Sequence, residues 1–236
     1  GIIIGDNQKG SMIQDSVIIG SLSPEEKNTM GVGNRNVVVV GYHTIAGDGS
    51  TAVGQRTQSL GIVSTGVGIR STITDDNVYG SVYGIDNKLS YETTNENAPG
   101  GSIINGAFGM LNKVDSSLTS MVFGTGNRIT NAFGNVNEGI EGGFLSGRWG
   151  EVYFHTPDDF GYTDHLSEIM GDFSTLNGGS VFALGNGNVS DYARRSSIFG
   201  TGNTLSGSES AVSDYNMVTG YLNKATNVNN VSVMGT

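Results

Sequence analysis

The sequence predicts an all-β chain built as a parallel β-solenoid, and three observations carry that expectation. Glycine and asparagine are abundant, at 38 and 23 of 236 residues, while proline occurs only three times; soluble proteins average roughly 7% glycine. Short apolar runs recur along the whole chain, which argues against disorder, and the glycines do not fall at every third position as in collagen. Glycine and then asparagine follow each run at a regular offset, as residues that punctuate short strands do.

The repeated unit is a small polar residue, three apolar residues, glycine, two variable residues and asparagine. Its clearest copies are Met121-Val122-Phe123-Gly124-Thr125-Gly126-Asn127 and Ser197-Ile198-Phe199-Gly200-Thr201-Gly202-Asn203. Phe182-Ala183-Leu184-Gly185 leads to Asn188, Met217-Val218-Thr219-Gly220 to Asn223, and Ser81-Val82-Tyr83-Gly84 to Asn87. Val38-Val39-Val40-Gly41 leads to Thr44 and Ser16-Val17-Ile18-Ile19-Gly20 to Ser23. Within several runs the anchor glycines stand 13 to 16 residues apart, as at Gly41, Gly54, Gly68 and Gly84. Two strands of four or five residues and two tight turns fill a coil of that length, since a strand rises about 3.3 Å per residue. Glycine supplies the positive φ such turns demand. Stacked coils would place the asparagine amides in a ladder.

The two strands of a coil read differently. The one before glycine is a continuous apolar run, such as Val17-Ile18-Ile19 or Met121-Val122-Phe123, and continuous runs imply burial on both faces. The one after asparagine alternates, as in Arg128-Ile129-Thr130, Lys88-Leu89-Ser90 and Thr204-Leu205-Ser206, with one apolar side chain directed inward. A lone roll should alternate on both outer faces. A face that stays apolar calls for a cover, and copies of the same chain supply the simplest one, three around an axis being sufficient. A single coil cannot stand alone: three buried apolar side chains give roughly 5–8 kcal/mol, against about 15–20 kcal/mol or more to order some 15 residues.

Charge and composition exclude several functions. A net charge of −10 is the wrong sign for nucleic acid, and the absence of cysteine removes disulfides, thiol catalysis and cysteine-based zinc sites. No apolar run is long enough to span a membrane as a helix, so an anchor is expected outside this sequence.

The apolar-triplet, Gly-x-x-Asn unit and its spacing resemble the head repeats of trimeric autotransporter adhesins, the YadA-like family. The likeness covers broken stretches at about 2–89, 102–137, 179–206 and 216–236. It implies a left-handed parallel β-roll of about 14–16-residue coils with loop insertions, intertwined as a homotrimer. It also implies display on a stalk at the surface of a Gram-negative bacterium, anchored in the outer membrane through a C-terminal region absent here. Heads of that family bind host receptors, including the CEACAM group, or matrix proteins such as collagen and fibronectin. The chain departs from it in using Ile, Phe and Met where many copies use Ala. Because Gly1-Ile2-Ile3-Ile4-Gly5 begins and Ser232-Val233-Met234-Gly235-Thr236 ends inside a unit, the solenoid is expected to continue in both directions.

Segments 21–30, 90–101, 138–178 and 206–216 fall outside the pattern. The expected organisation is head repeats over 1–137, an aromatic-rich insertion over 138–178 and head repeats over 179–236. The insertion holds the only tryptophan and the candidate ligand-binding residues Arg148, Trp149, Tyr153, Phe154, Phe160 and Tyr162, because aromatics beside arginine have hot-spot chemistry. A mini-core packing the insertion onto the roll is the competing and favoured account of those aromatics. No catalytic, cofactor or metal site is expected. Asp158-Asp159 and Asp164-His165 lack a ligand spacing such as H-E-x-x-H, and Gly124-Thr125-Gly126 lacks the third glycine of a dinucleotide loop. Three rivals to adhesion remain. A left-handed β-helix acyltransferase would have a hexapeptide period and a catalytic histidine, whereas His43 lies in a turn. An ice-binding solenoid needs a threonine array that is not found. A phage-fibre solenoid is distinguished only by what flanks the chain.

Overall fold

The computed structural model of the chain describes residues 1–5, 15–20, 29–30, 36–91, 104–115, 119–131, 142–154, 166–208 and 210–236. Those residues are all-β, with parallel pairing between the long strands and no helix, as a β-roll or solenoid requires. The chain divides into two compact units, one of Gly1–Tyr91 with Gly100–Val114 and one of Glu92–Pro99 with Asp115–Thr236.

In the first unit, each coil contributes one long and one short strand. The long strands Val38–Tyr42, Thr51–Gln55, Thr65–Ile69, Ser81–Ile85 and Ile104–Met110 pair in order, with Gly41, Gly54, Gly68, Gly84 and Gly109 in register. Val17–Ile19 and Ile2–Ile4 extend this column toward the N-terminus. The short strands Thr29–Met30, Ile45–Ala46, Gln58–Ser59, Thr72–Ile73 and Lys88–Ser90 form a second column. Residues at matching register positions point between the columns: Ile18, Val39, Ala52 and Val82 from the long strands, Ala46, Ile73 and Leu89 from the short ones, all buried. Ile18, Val37, Val39, Ala46 and Ala52 form one core cluster, so the columns face each other across a single layer of side chains.

The second unit repeats the plan. Thr119–Thr125, Gly142–Arg148 and Leu166–Asp172 pair in sequence, and Met217–Tyr221 and Ser232–Gly235 close the column. Between them lie Thr175–Asn186 and Val189–Thr201, each a short strand running without a break into the next long one; the pairing between these two slips at Asn177/Gly178. Its core rows are Val122, Leu145, Ile169, Ala183, Ile198 and Val218 on one side and Ile129, Val152, Leu176 and Leu205 on the other.

These coils correct the expected organisation. Segment 138–178 is not a single insertion: Phe144-Leu145-Ser146-Gly147 pairs with Met121-Val122-Phe123-Gly124, and Glu168-Ile169-Met170 continues the column. Residues 142–154 and 166–177 are therefore two rungs of the roll. Their signature is disguised, because Ser146 and Glu168 interrupt the apolar triplets and Gly150 and Ser174 replace asparagine. Coil length is also less uniform than 14–16 residues. It runs from 13, between Gly41 and Gly54, to 25, between Gly84 and Gly109, with the anchors still in register. The extra chain leaves mostly at one kind of corner, from short strand to next long strand: after Lys88–Ser90 in the first unit, and after Arg128–Asn131, Glu151–Phe154 and Thr204–Ser206 in the second. Parallel stacking fixes the rungs and leaves that corner free to vary, since a longer loop adds only slowly to closure entropy.

Two positions of the unit hold the rungs together. Gly185 has φ +123, and a Cβ there would lie 2.0 Å from the carbonyl oxygen of Gly200 in the next rung, so stacked backbones touch at this column. Three residues after Gly200, Asn203 is fully buried; its Nδ2 donates to Phe199 O in its own rung (3.0 Å) and to Gly220 O in the next (2.9 Å). Its Oδ1 accepts from the backbone N–H of Asn223 (3.0 Å), which continues the ladder. Thr57 and Ser71 take the same slot in the first unit, and their hydroxyls donate to Gly68 O (2.9 Å) and Gly84 O (3.2 Å). A hydroxyl or an amide thus satisfies the same carbonyl. The left-handed residue is not the asparagine but the one before it: His43, Arg56, Arg70, Asp86, Leu111, Trp149, Phe173 and Leu222 all have φ between +51 and +59.

Candidate functional site

That left-handed slot projects a side chain outward wherever it is not glycine, and in the second unit it builds a distinct cluster. Trp149 and Phe173 occupy it on consecutive rungs, 53% and 55% exposed. Glycines stand on either side: Gly126 in the preceding rung, where a Cβ would meet the Trp149 ring at 2.3 Å, and Gly187 in the following one, where a Cβ would meet nothing within 4 Å. The tryptophan therefore lies across a rung without a side chain, and its backbone N–H donates to Thr125 O (2.9 Å).

Arg148 and Asp172, one residue earlier in the same two rungs, fasten the pair. The guanidinium donates through Nε (3.1 Å) and Nη2 (2.5 Å) to Asp172 Oδ2, and the Arg148 backbone N–H donates to Oδ1 (2.9 Å). The Arg148 guanidinium, by hydrogen bonding, holds the Asp172 carboxyl below the usual aspartate range. Arg148 is thus a rung-to-rung tie whose charge is matched within the chain, and the exposed surface beside it is aromatic. Arg70 and Asp86 make a comparable fork in the first unit, at 2.7 and 2.5 Å.

Of the predicted ligand-binding residues, the structure brings Arg148 and Trp149 together at this turn and places Tyr153 and Phe154 in the strand Glu151–Phe154 of the same rung. Phe160, Tyr162, His155, His165, Asp158, Asp159 and Asp164 lie outside the described residues. Phe173 and Asp172 were missed by sequence reasoning. The spacing Gly147-x-x-Gly150 and Gly171-x-x-Ser174 carries the signal that would have found them.

A second surface is the outer face of the long-strand column. In the first unit Ile19, Val40, Val53, Val67, Tyr83 and Phe108 occupy equivalent outward positions, and Tyr83 stacks on Phe108 with ring centroids 5.4 Å apart. In the second unit Phe123, Met170, Leu184 and Phe199 do so, with Met121, Phe144, Phe182 and Met217 beside them. Phe123, Met170 and Leu184 are 38%, 44% and 43% exposed in the single chain. Singly exposed apolar residues are ordinary; here they recur at one register position of the column, with Ser146 and Thr219 between them in the second unit.

No protein-family model matches the chain, and none of the curated proteins matches it.

Proposed function

We propose that this chain is a head segment of a bacterial surface adhesin, a left-handed β-roll that works as an intertwined homotrimer and binds without catalysis. The observation that carries this reading is the aligned apolar column on the outer face of the long strands, together with the repeat's resemblance to YadA-like heads. Burying the exposed part of each such side chain would contribute roughly 1 kcal/mol. Many aligned side chains on each of three chains can offset an association cost of about 4–15 kcal/mol. The intended partner is a host surface receptor of the CEACAM group or a matrix protein such as collagen or fibronectin. In the organism the head would stand on a stalk fixed in the Gram-negative outer membrane. The aromatic turn at Trp149 and Phe173 is the surface best suited to contact such a partner, since exposed aromatics next to an ordered ion pair have the composition of interface anchors.

Sedimentation velocity on the purified chain and on Met170→Lys/Leu184→Lys tests the assembly. A three-chain species that dissociates in the double variant is the expected result, and a wild-type monomer at micromolar concentration overturns it. Immobilised CEACAM-type receptors, collagen and fibronectin then test the partner, with Trp149→Asn as the variant expected to bind more weakly. Failure of all three to bind, or acyl transfer from coenzyme A by the purified protein, would count against adhesion.

A further inference from the structure

We infer that the second unit carries a saccharide-binding groove between the loop that follows Thr204–Ser206 and the corner that precedes Ser232–Gly235. The groove has a volume of about 630 Å³ and is lined in part by Arg194, Val212, Asp214, Tyr215, Asn229 and Asn230. That volume falls in the roughly 300–1,000 Å³ span of small-ligand sites, but such sites are predominantly apolar. This one joins a single aromatic ring to amides and ion-paired groups, which favours a polar ligand rich in hydroxyls.

Its walls are built rather than accidental. Asp214 is held by both arginines of Arg194-Arg195: Arg194 Nε donates to Oδ2 (3.1 Å), Arg195 Nε donates to Oδ1 (2.9 Å), and Arg195 Nη2 pairs with Oδ2. The Arg195 guanidinium also lies over the Tyr215 ring, 4.2 Å from its centroid, and donates to the Tyr215 hydroxyl (2.7 Å). The ring is thereby fixed against one cation while remaining 54% exposed. Beside Asp214, the Asn229 Oδ1 accepts from the Asp214 backbone N–H (2.8 Å), which orients that amide. Asn230 is held at φ +56 with its backbone N–H on Asp214 O (3.0 Å).

These groups match the chemistry of a sugar ring. A pyranose has a face of C–H bonds that lies flat on an aromatic ring and a rim of hydroxyls that both donate and accept. Tyr215 supplies the flat apolar surface, and a ring fixed before binding loses little freedom on complex formation. Asparagine amides offer a donor and an acceptor in one plane, as paired hydroxyls need. This inference is independent of the trimer and of the adhesin reading, since all the residues belong to one chain and one unit.

The test is saturation-transfer difference NMR of the full chain with lactose, maltose, cellobiose, N-acetylglucosamine and sialyllactose, followed by titration of any that respond. At least one should bind with Kd of about 1 mM or tighter. Tyr215→Asn removes the ring while keeping a residue that tolerates its φ of +55, and it should weaken binding by about tenfold, the ratio an aromatic contact is worth. Asn230→Gly, chosen for the same backbone reason, should weaken it several-fold. Tyr79→Asn, at an exposed tyrosine of the first unit with φ +57, should leave it unchanged. Circular dichroism of each variant establishes that the roll is intact. No response from the panel overturns the inference, as does a titration that folded Tyr215→Asn leaves unaltered.

Discussion

Replacing Gly185 by alanine should cost several kcal/mol, although it adds one methyl group. The added carbon would sit 2.0 Å from Gly200 O and 2.9 Å from Gly200 C, with φ at +123. To reach even 3.0 Å from that oxygen, adjacent rungs must part by about 1 Å. Bonds between these two rungs, such as Gly202 N–H to Asn186 O and Val189 N–H to Asn203 O, both 2.9 Å, would then stretch beyond hydrogen-bond length. Two or three such bonds at about 1 kcal/mol each, with a backbone penalty of about 1–3 kcal/mol, give roughly 3–6 kcal/mol. Domains are stable by only about 5–15 kcal/mol. Gly187→Ala is the matched control: its φ is +63 and nothing lies within 4 Å of the new carbon, so the expected cost is only about 1–2 kcal/mol. Guanidinium denaturation followed by far-UV circular dichroism compares the two. Equal losses would refute the account, because backbone contact between rungs would then not be what selects glycine at the anchor.

Asn203→Ala should destabilise by about 2–4 kcal/mol, since it empties a fully buried position and strips partners from the half-buried Gly220 carbonyl and the Asn223 N–H. Asn203→Ser should recover part of that in the same denaturation experiment, because Ser71 and Thr57 reach the equivalent carbonyl with a hydroxyl. The hydrogen bonds from Arg70 lower the Asp86 pKa in the folded chain. The stability linked to this pair is therefore present above the unfolded-chain value of about 3.9 and is lost as pH falls through the lower folded value. A carboxyl-carbon NMR titration should place the Asp86 midpoint below the ordinary aspartate range, and Arg70→Gln should move it up.

How much of this was legible depends on which residues carried the regularity. The triplet before glycine and the alternation after asparagine were read correctly as strands: Val122 and Ile198 are buried from the first, Leu89, Ile129 and Leu205 from the second. The amide ladder was expected and is present in the Asn188, Asn203 and Asn223 series. The rungs at Gly147 and Gly171 were overlooked because serine and glutamate occupy their outer strand positions, where parallel stacking constrains the backbone and leaves the side chain open. The fork of Arg148 on Asp172 joins residues 24 apart, a separation set by loop length and therefore invisible to local pattern.

By itself the sequence determined the class of fold and the unit that builds it, because glycine at a contact between backbones and a hydrogen-bonding side chain three residues later are needs of every rung. Only the tertiary structure decided which rungs are neighbours. Stacking aligns coils by their anchors, whatever length of chain intervenes, and so sets Trp149 beside Phe173 and Tyr215 beside Arg195. The aromatic turn and the groove at Tyr215 follow from that alignment.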